Sequence, residues 1–366
     1  MTGKPHRPEK PRRRPRWRWM LLAAIAIPTA TWIGWTERNP DQERALRLLV
    51  QDKLQTHFPE AMRLPDDRIG LLPRSERFGA EEPPDVILVH GLDEPGLIWN
   101  EVVGALDQAG FNAWEFRYPN DQAIDSSADL LAEVWPQLGN ADGPTLIGHS
   151  MGGLVIRDFV SRWRHPVDVG PAIEGPPVRG VILVATPNQG SELARLRVWL
   201  ELREAYADLT LTDREFSLLA GLRDGTGAAK IDLRPDSAFL LDLNTRPWPD
   251  TVPLFQIGGV LTGTTADAGE LSALARELGN ESLGEQVEAW WEDVGEQVGD
   301  GAVSLESLKL DDAPPPLILE ASHRGLLHSL PFSEGPPPAI EPIIACLHEW
   351  HRPARRQPVD RIEESE

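Results

Sequence analysis

Pro144-Thr-Leu-Ile-Gly-His-Ser-Met-Gly-Gly-Leu-Val-Ile-Arg157 is the stretch whose reading decides the fold. Thr145 to Ile147 reads as a buried strand, Ser150 sits on a sharp turn, and an amphipathic helix follows with Leu154, Val155, Phe159 and Val160 inward. Gly148-His149-Ser150-Met151-Gly152 has the form G-x-S-x-G, a turn that presents a serine as a nucleophile. A serine at the tip of a strand-to-helix turn takes strained backbone angles, and side chains two residues either side would collide. Gly148 and Gly152 remove those collisions. The following helix aims its N-terminal N–H groups at the same spot, where an oxyanion can be held. A bare G-x-S-x-G arises by chance in roughly one chain in ten of this length. Its place between an apolar strand and a helical pattern, with Gly153 as a third glycine, sets it apart from a glycine-rich turn with a capping serine.

Working outward, the strands and helices alternate. Asp85 to Val89 is a continuous apolar run, as in a strand buried on both faces of a parallel sheet. Asn112 to Tyr118, Gly180 to Ala185, Val252 to Ile257 and Pro316 to Leu319 are the further strand candidates. Trp99 to Ala109, Asp129 to Leu138 and Ala339 to Trp350 have helical spacing. The alternation predicts an α/β fold: a doubly wound, mostly parallel sheet with ligands at the carboxyl ends of its strands. Two stretches, near 191–250 and 261–298, are too long for simple connections and read as cap or lid insertions. Trp290-Trp291 belongs to the second.

The chain has 366 residues and a net charge of −21, unevenly placed. Residues 1–18 hold eight basic residues and one acid, which leaves −28 on the remainder. So acidic a body excludes non-specific nucleic-acid binding. Residues 1–18 therefore read as a basic cytoplasmic N-terminus, and the uncharged run 19–35, with Trp19, Trp32 and Trp35 near its ends, as a transmembrane signal anchor. At 17 residues the run is at the short end for a span. On that reading the catalytic body lies outside the cytoplasm, in the periplasm or at the cell surface, or is secreted if the segment is cleaved. Residues 36–84 form a juxtamembrane lead-in, helical through Ala45, Leu48, Leu49 and Leu54; residues 85–350 form the main domain and 351–366 a polar tail. The single cysteine, Cys346, excludes an internal disulfide and reads as a core residue.

A serine hydroxyl is a weak nucleophile until a histidine takes its proton and a carboxylate orients that histidine. Of nine histidines, His6, His57 and His165 lack a strand-end context. His149 cannot reach back to its neighbour's hydroxyl and is expected to pack beside the strand. His90 and Gly91 form a turn after a strand, where backbone N–H groups supply the other half of an oxyanion hole. His348 and His351, at the end of the closing helix, are expected to face solvent. His323, in Glu320-Ala-Ser-His-Arg-Gly325 directly after the last strand, is the first choice for the base, with His328 as runner-up. Asp300, in Gly299-Asp-Gly-Ala-Val303, is the acid, read as lying on a tight loop at the start of a helix; Asp293 and Asp311 are weaker alternatives.

From Asp85 to Trp350 the sequence resembles an α/β-hydrolase of the bacterial lipase/esterase type, related to the lipase-like group that includes GPI-inositol deacylases. The matching pieces are Val89-His-Gly-Leu92, Tyr118-Pro-Asn-Asp121, Gly148-His-Ser-Met-Gly-Gly153, Ala185-Thr-Pro-Asn-Gln-Gly-Ser191, Asp236-Ser-Ala-Phe-Leu-Leu-Asp-Leu-Asn244, Asp300-Gly-Ala-Val-Ser304 and Ser322-His-Arg-Gly-Leu326. The resemblance implies Ser150 as nucleophile, Asp300 and His323 as its partners, and the N–H groups of Leu92 and Met151 as the oxyanion hole. Unlike the secreted lipases, the chain has no cysteine pair, and no calcium site is identifiable. The expected activity is hydrolysis of carboxylic esters, with a hydrophobic ester or lipid as substrate and no cofactor. A thioesterase, acyltransferase or amidase would use the same triad. A non-catalytic binding protein of this fold would be expected to have lost Ser150, His323 or the glycines.

Overall fold

The computed structural model describes residues 27–28, 31–65, 68–92, 96–139, 141–191, 225–262, 299–311, 313–329 and 335–352. Seven strands form one sheet: β1 (Gly70–Pro73), β2 (Val86–Val89), β3 (Ala113–Arg117), β4 (Thr145–His149), β5 (Gly180–Val184), β6 (Leu254–Val260) and β7 (Leu317–Glu320). Their order is β1-β3-β2-β4-β5-β6-β7. β1 runs antiparallel to β3 and every other pairing is parallel.

Alternation along the central strands explains the layering. Ile87 and Val89 of β2 enter one core with Phe116, Leu131, Trp135, Leu154 and Phe159. Val86 and Leu88 point the other way, into a core with Trp99, Leu106, Ile182 and Leu347. Helices therefore cover both faces: α3 (Asn100–Ala109) and α8 (Ile340–Trp350) on the second, α4 (Ile124–Val134) and α5 (Met151–Asp158) on the first. β2, β4 and β5 are buried along their whole length, as continuous apolar runs demand.

Two features go beyond the sequence expectation and have physical causes. Leu154, Val155, Phe159 and Val160 enter the first core as expected, but α5 has no solvent face: every residue from Met151 to Asp158 is buried, because Arg157 and Asp158 find polar partners inside. Arg157 donates to Asn188 Oδ1 at 3.1 Å and Asn244 Oδ1 at 2.9 Å, and Asp158 pairs with Arg162 and Arg246. Of the stretch 191–250 read as an insertion, residues 225–245 carry two short helices, α6 (Ala228–Asp232) and α7 (Ala238–Thr245). Ala229, Leu233, Leu240 and Leu243 of this segment pack into the first core. Residues 192–224 and 263–298, with Trp290 and Trp291, lie outside the described residues.

The lead-in helix is α1 (Pro40–His57), followed by the short α2 (Pro59–Met62). α1 docks by its polar face. Glu43 and Gln51 are its buried residues, whereas Leu46, Leu49 and Val50 are exposed. Arg44 reaches Asp232 at 2.6 Å and Asp125 at 2.7 Å, and Thr226 Oγ1 donates to the Arg47 carbonyl at 3.0 Å. Burial pushes the Asp232 carboxyl up to about 6, with Arg44 acting against that rise. Of the run 19–35, residues 27–28 and 31–35 are described and helical; the rest lies outside the described residues. Among the described residues no helix is long and apolar enough to cross a membrane.

Candidate active site

β4 ends at His149, and Ser150 stands between strand and helix with φ 53° and ψ −127°. A side chain held there costs about 1–3 kcal/mol, sustained by the surrounding packing. Gly148 and Gly152 are close approaches of backbone to backbone, and Gly153 is a close approach of backbone to the Thr186 side chain. A Cβ on Gly148 would lie 2.7 Å from Gly153 Cα, and one on Gly152 would lie 2.2 Å from the Val89 carbonyl oxygen. A Cβ on Gly153 would lie 1.9 Å from Thr186 Oγ1. The helix is thus pressed onto the ends of β2 and β5. Ser150 N donates to the Val184 carbonyl at 2.9 Å, which ties the turn to β5.

The His90-Gly91 turn at the end of β2 lies against the serine. A Cβ on Gly91 would stand 2.9 Å from Ser150 Cβ. His90 is buried and stacks on Tyr118 at 4.5 Å; burial lowers its pKa, which keeps the ring neutral. Tyr118 Oη donates to the His90 carbonyl at 2.5 Å and so fixes the turn that leads into Leu92. Met151 is the first residue of α5, and its N–H has no partner four residues back within the helix. The turn carrying Leu92 and the start of α5 thus flank Ser150 on adjacent strand ends.

Asp300 and His323 meet directly: His323 Nδ1 is 2.8 Å from Asp300 Oδ2. The other carboxylate oxygen accepts from Ala302 N at 2.9 Å and Val303 N at 2.8 Å, and the His323 N–H donates to the Asp300 carbonyl at 2.9 Å. Asp300 is buried, on a turn between Gly299 and Gly301 that both take positive φ. No helix follows it, contrary to expectation: residues 301–308 are irregular, because the Ala302 and Val303 N–H groups go to the Asp300 carboxylate and several carbonyls accept from the loop after β5. Gln189 N donates to the Ser307 carbonyl, Asn188 Nδ2 to that of Leu308 at 2.8 Å, and Ser191 Oγ to that of Ala302 at 2.7 Å. Ser307 Oγ closes the set by donating to the Gly190 carbonyl.

His323 stands beside the serine turn through His149. Their rings are 4.7 Å apart, and His149 Nε2 lies 3.1 Å from the His323 carbonyl oxygen. A carbonyl only accepts, so His149 carries its proton on Nε2, and its buried Nδ1 has no partner among the described residues. Burial drives the His149 pKa well below the ordinary imidazole value. His149 packs beside its strand as expected, but its hold on the His323 backbone has no signal in sequence spacing.

His328 is directed elsewhere. Its Nδ1 is 3.2 Å from Glu101 Oε1 on α3, and Ser329 N and Oγ each donate to the same carboxylate at 2.7 Å. Asp311 is exposed, and Asp293 lies outside the described residues. His351 departs from the solvent-facing expectation: it is half-buried, with Nε2 3.1 Å from Thr145 Oγ1. Cys346 is half-buried rather than fully in the core, its thiol pushed up to about 12 by burial. Among the described residues no group of three or more His, Cys, Asp or Glu is placed to hold a metal ion.

"Lipase LipV" of Mycobacterium tuberculosis is 28% identical over 130 residues, covering 31% of this chain and 48% of that protein. The match thus spans about half the length of that curated relative. Among solved structures, the mature Bacillus licheniformis lipase BlEst2 is 18% identical with a TM-score of 0.44, over 75% of this chain and 96% of the other. The Legionella pneumophila phospholipase PlaB is 19% identical with a TM-score of 0.46, over 72% and 59%. The sequence profile of the alpha/beta hydrolase family matches residues 86–338, from β2 to just before α8. With that match over more than half its length, and a mostly parallel sheet of the same kind, the chain belongs to the α/β-hydrolase family.

Proposed function

We propose that the protein is a serine hydrolase that cleaves carboxylic esters through an acyl-enzyme on Ser150. The observation that carries this reading is the hydrogen bond between buried Asp300 and half-buried His323, whose carbonyl His149 contacts beside the strained serine turn. Ser150 Oγ attacks the ester carbonyl as His323 Nε2 takes its proton, and Asp300 holds Nδ1–H and stabilises the imidazolium that forms. The N–H groups of Leu92 and Met151 take up the tetrahedral oxyanion; losing one such donor typically raises the barrier by ~3 kcal/mol. The carbonyl re-forms, the alcohol leaves with the proton from His323, and water repeats the sequence to release the acid.

The substrate class in this reading is a lipidic or hydrophobic acyl ester. Its support is the apolar run 19–35 behind a basic N-terminus, which in this reading anchors the chain in a membrane and keeps the acidic catalytic domain outside the cytoplasm. The test uses p-nitrophenyl esters from acetate to palmitate with the wild type, Ser150→Ala, His323→Ala and His328→Ala. Loss of turnover in the first two variants and its retention in His328→Ala is the expected result. A dead His328→Ala beside an active His323→Ala would overturn the assignment of the base.

A further inference from the structure

α1 keeps three apolar residues on its outward side, and that orientation has an identifiable cause. Its inward side is held by Arg44 on Asp232 and Asp125, and by the Arg47 backbone and side chain on Thr226. Leu46, Leu49 and Val50 are left exposed, and Phe58 just beyond the helix is 54% exposed. Lys53 and His57 are exposed too, and at helical spacing they follow Leu46 and Val50 along one stripe. Leu46, Leu49, Val50 and Phe58 thus form an exposed apolar patch, beside which Lys53 pairs with Asp52 at 3.8 Å, and such a patch suits the boundary between headgroups and acyl chains of a bilayer.

The chain order supplies the occupant. Residues 31–38 form a helix that ends one residue before α1, and its end is fixed to the domain: Thr36 is buried and Glu37 pairs with Arg234 at 2.8 Å. Trp32 on that helix is exposed and packs on Trp35 at 5.3 Å, as aromatic side chains do at a membrane interface. No slack linker therefore separates the apolar run from the body. Leu49 is 14 residues from Trp35, about 21 Å at helical rise.

We propose that the outward stripe of α1, Leu46, Leu49, Val50, Lys53 and His57, lies in the interface of the bilayer that residues 19–35 enter, and holds the catalytic domain against that bilayer. The proposal rests on the anchor reading of 19–35. The test uses the full chain with Cys346→Ser, reconstituted in vesicles of phosphatidylcholine and phosphatidylglycerol. An environment-sensitive fluorophore is placed at Leu49→Cys or, as control, at Glu341→Cys on α8. Flotation with the vesicles reports the anchor independently of the helix. The expected result is co-flotation, with blue-shifted emission at position 49 that lipid-borne spin labels quench, and water-like, unquenched emission at 341. Co-flotation with water-like emission at both positions overturns the helix proposal and leaves the anchor standing. Loss of co-flotation overturns both.

Discussion

Asp300→Asn separates the orienting role of the carboxylate from its structural one. Asp300 Oδ1 accepts from the Ala302 and Val303 N–H groups, while Oδ2 faces His323 Nδ1. Two N–H donors require an acceptor, so the asparagine oxygen takes the Oδ1 position and its NH2 group is turned toward His323. Nδ1 must then accept, which moves the imidazole proton to Nε2, the nitrogen that should take the proton of Ser150. The opposite amide orientation would leave the NH2 group facing two donors, at about 1–3 kcal/mol for each buried group left unsatisfied. The wrong tautomer should lower kcat by ~10^3–10^4, as in other triads, or about 4–5.5 kcal/mol at 1.36 kcal/mol per tenfold. Folding should change little, since both backbone hydrogen bonds survive. Asp300→Ala, by contrast, should lower the melting temperature as well as the activity. Ester turnover and thermal unfolding of both variants make the assay. Asp300→Asn within about tenfold of wild-type kcat would refute the reasoning.

The remaining predictions concern packing, loop placement and pH. Gly153→Ala puts a Cβ against Thr186 Oγ1 and Cβ, both buried, so it should destabilise the fold by about 1–3 kcal/mol in denaturant unfolding. Asn188→Ala removes the donor to the Leu308 carbonyl and the acceptor for Arg157, and should lower kcat more than it changes KM by loosening the turn that carries Asp300. His165 Nε2 accepts from Val178 N at 3.0 Å, and burial lowers its pKa to about 4. The folded ring holds fewer protons than the unfolded one between about pH 4 and 6.5, so stability should fall as pH drops through that window. His165→Gln should flatten that slope in pH-dependent unfolding.

The parts of the fold legible in the sequence are those whose environment is symmetric or sterically demanding. β2, β4 and β5 are apolar on both faces because both faces are buried, and their strand character survives any reading frame. The serine turn announces itself through glycines that nothing larger can replace. β1 was not legible: Gly70-Leu-Leu-Pro73 has too few residues for a pattern, and it is a strand only because β3 offers an edge. Nor was the orientation of α1, since Arg44 and Asp232, 188 residues apart, decide which face turns inward. In the site, chain order pointed to Asp300 and His323 but carried no distance. The features that hold them, the His149 contact with the His323 carbonyl and the Asn188 to Ser191 contacts with the 302–308 turn, join segments distant in sequence, with no local periodicity to mark them.

The claim on which the rest depends is that Ser150 is an activated nucleophile. Labelling with a fluorophosphonate probe, followed by mass-spectrometric mapping of the adduct, tests it without knowledge of the substrate. The account predicts one adduct, on the peptide containing Ser150, lost in Ser150→Ala and strongly slowed in His323→Ala. An unlabelled wild type, or an adduct on another serine that survives Ser150→Ala, would contradict it.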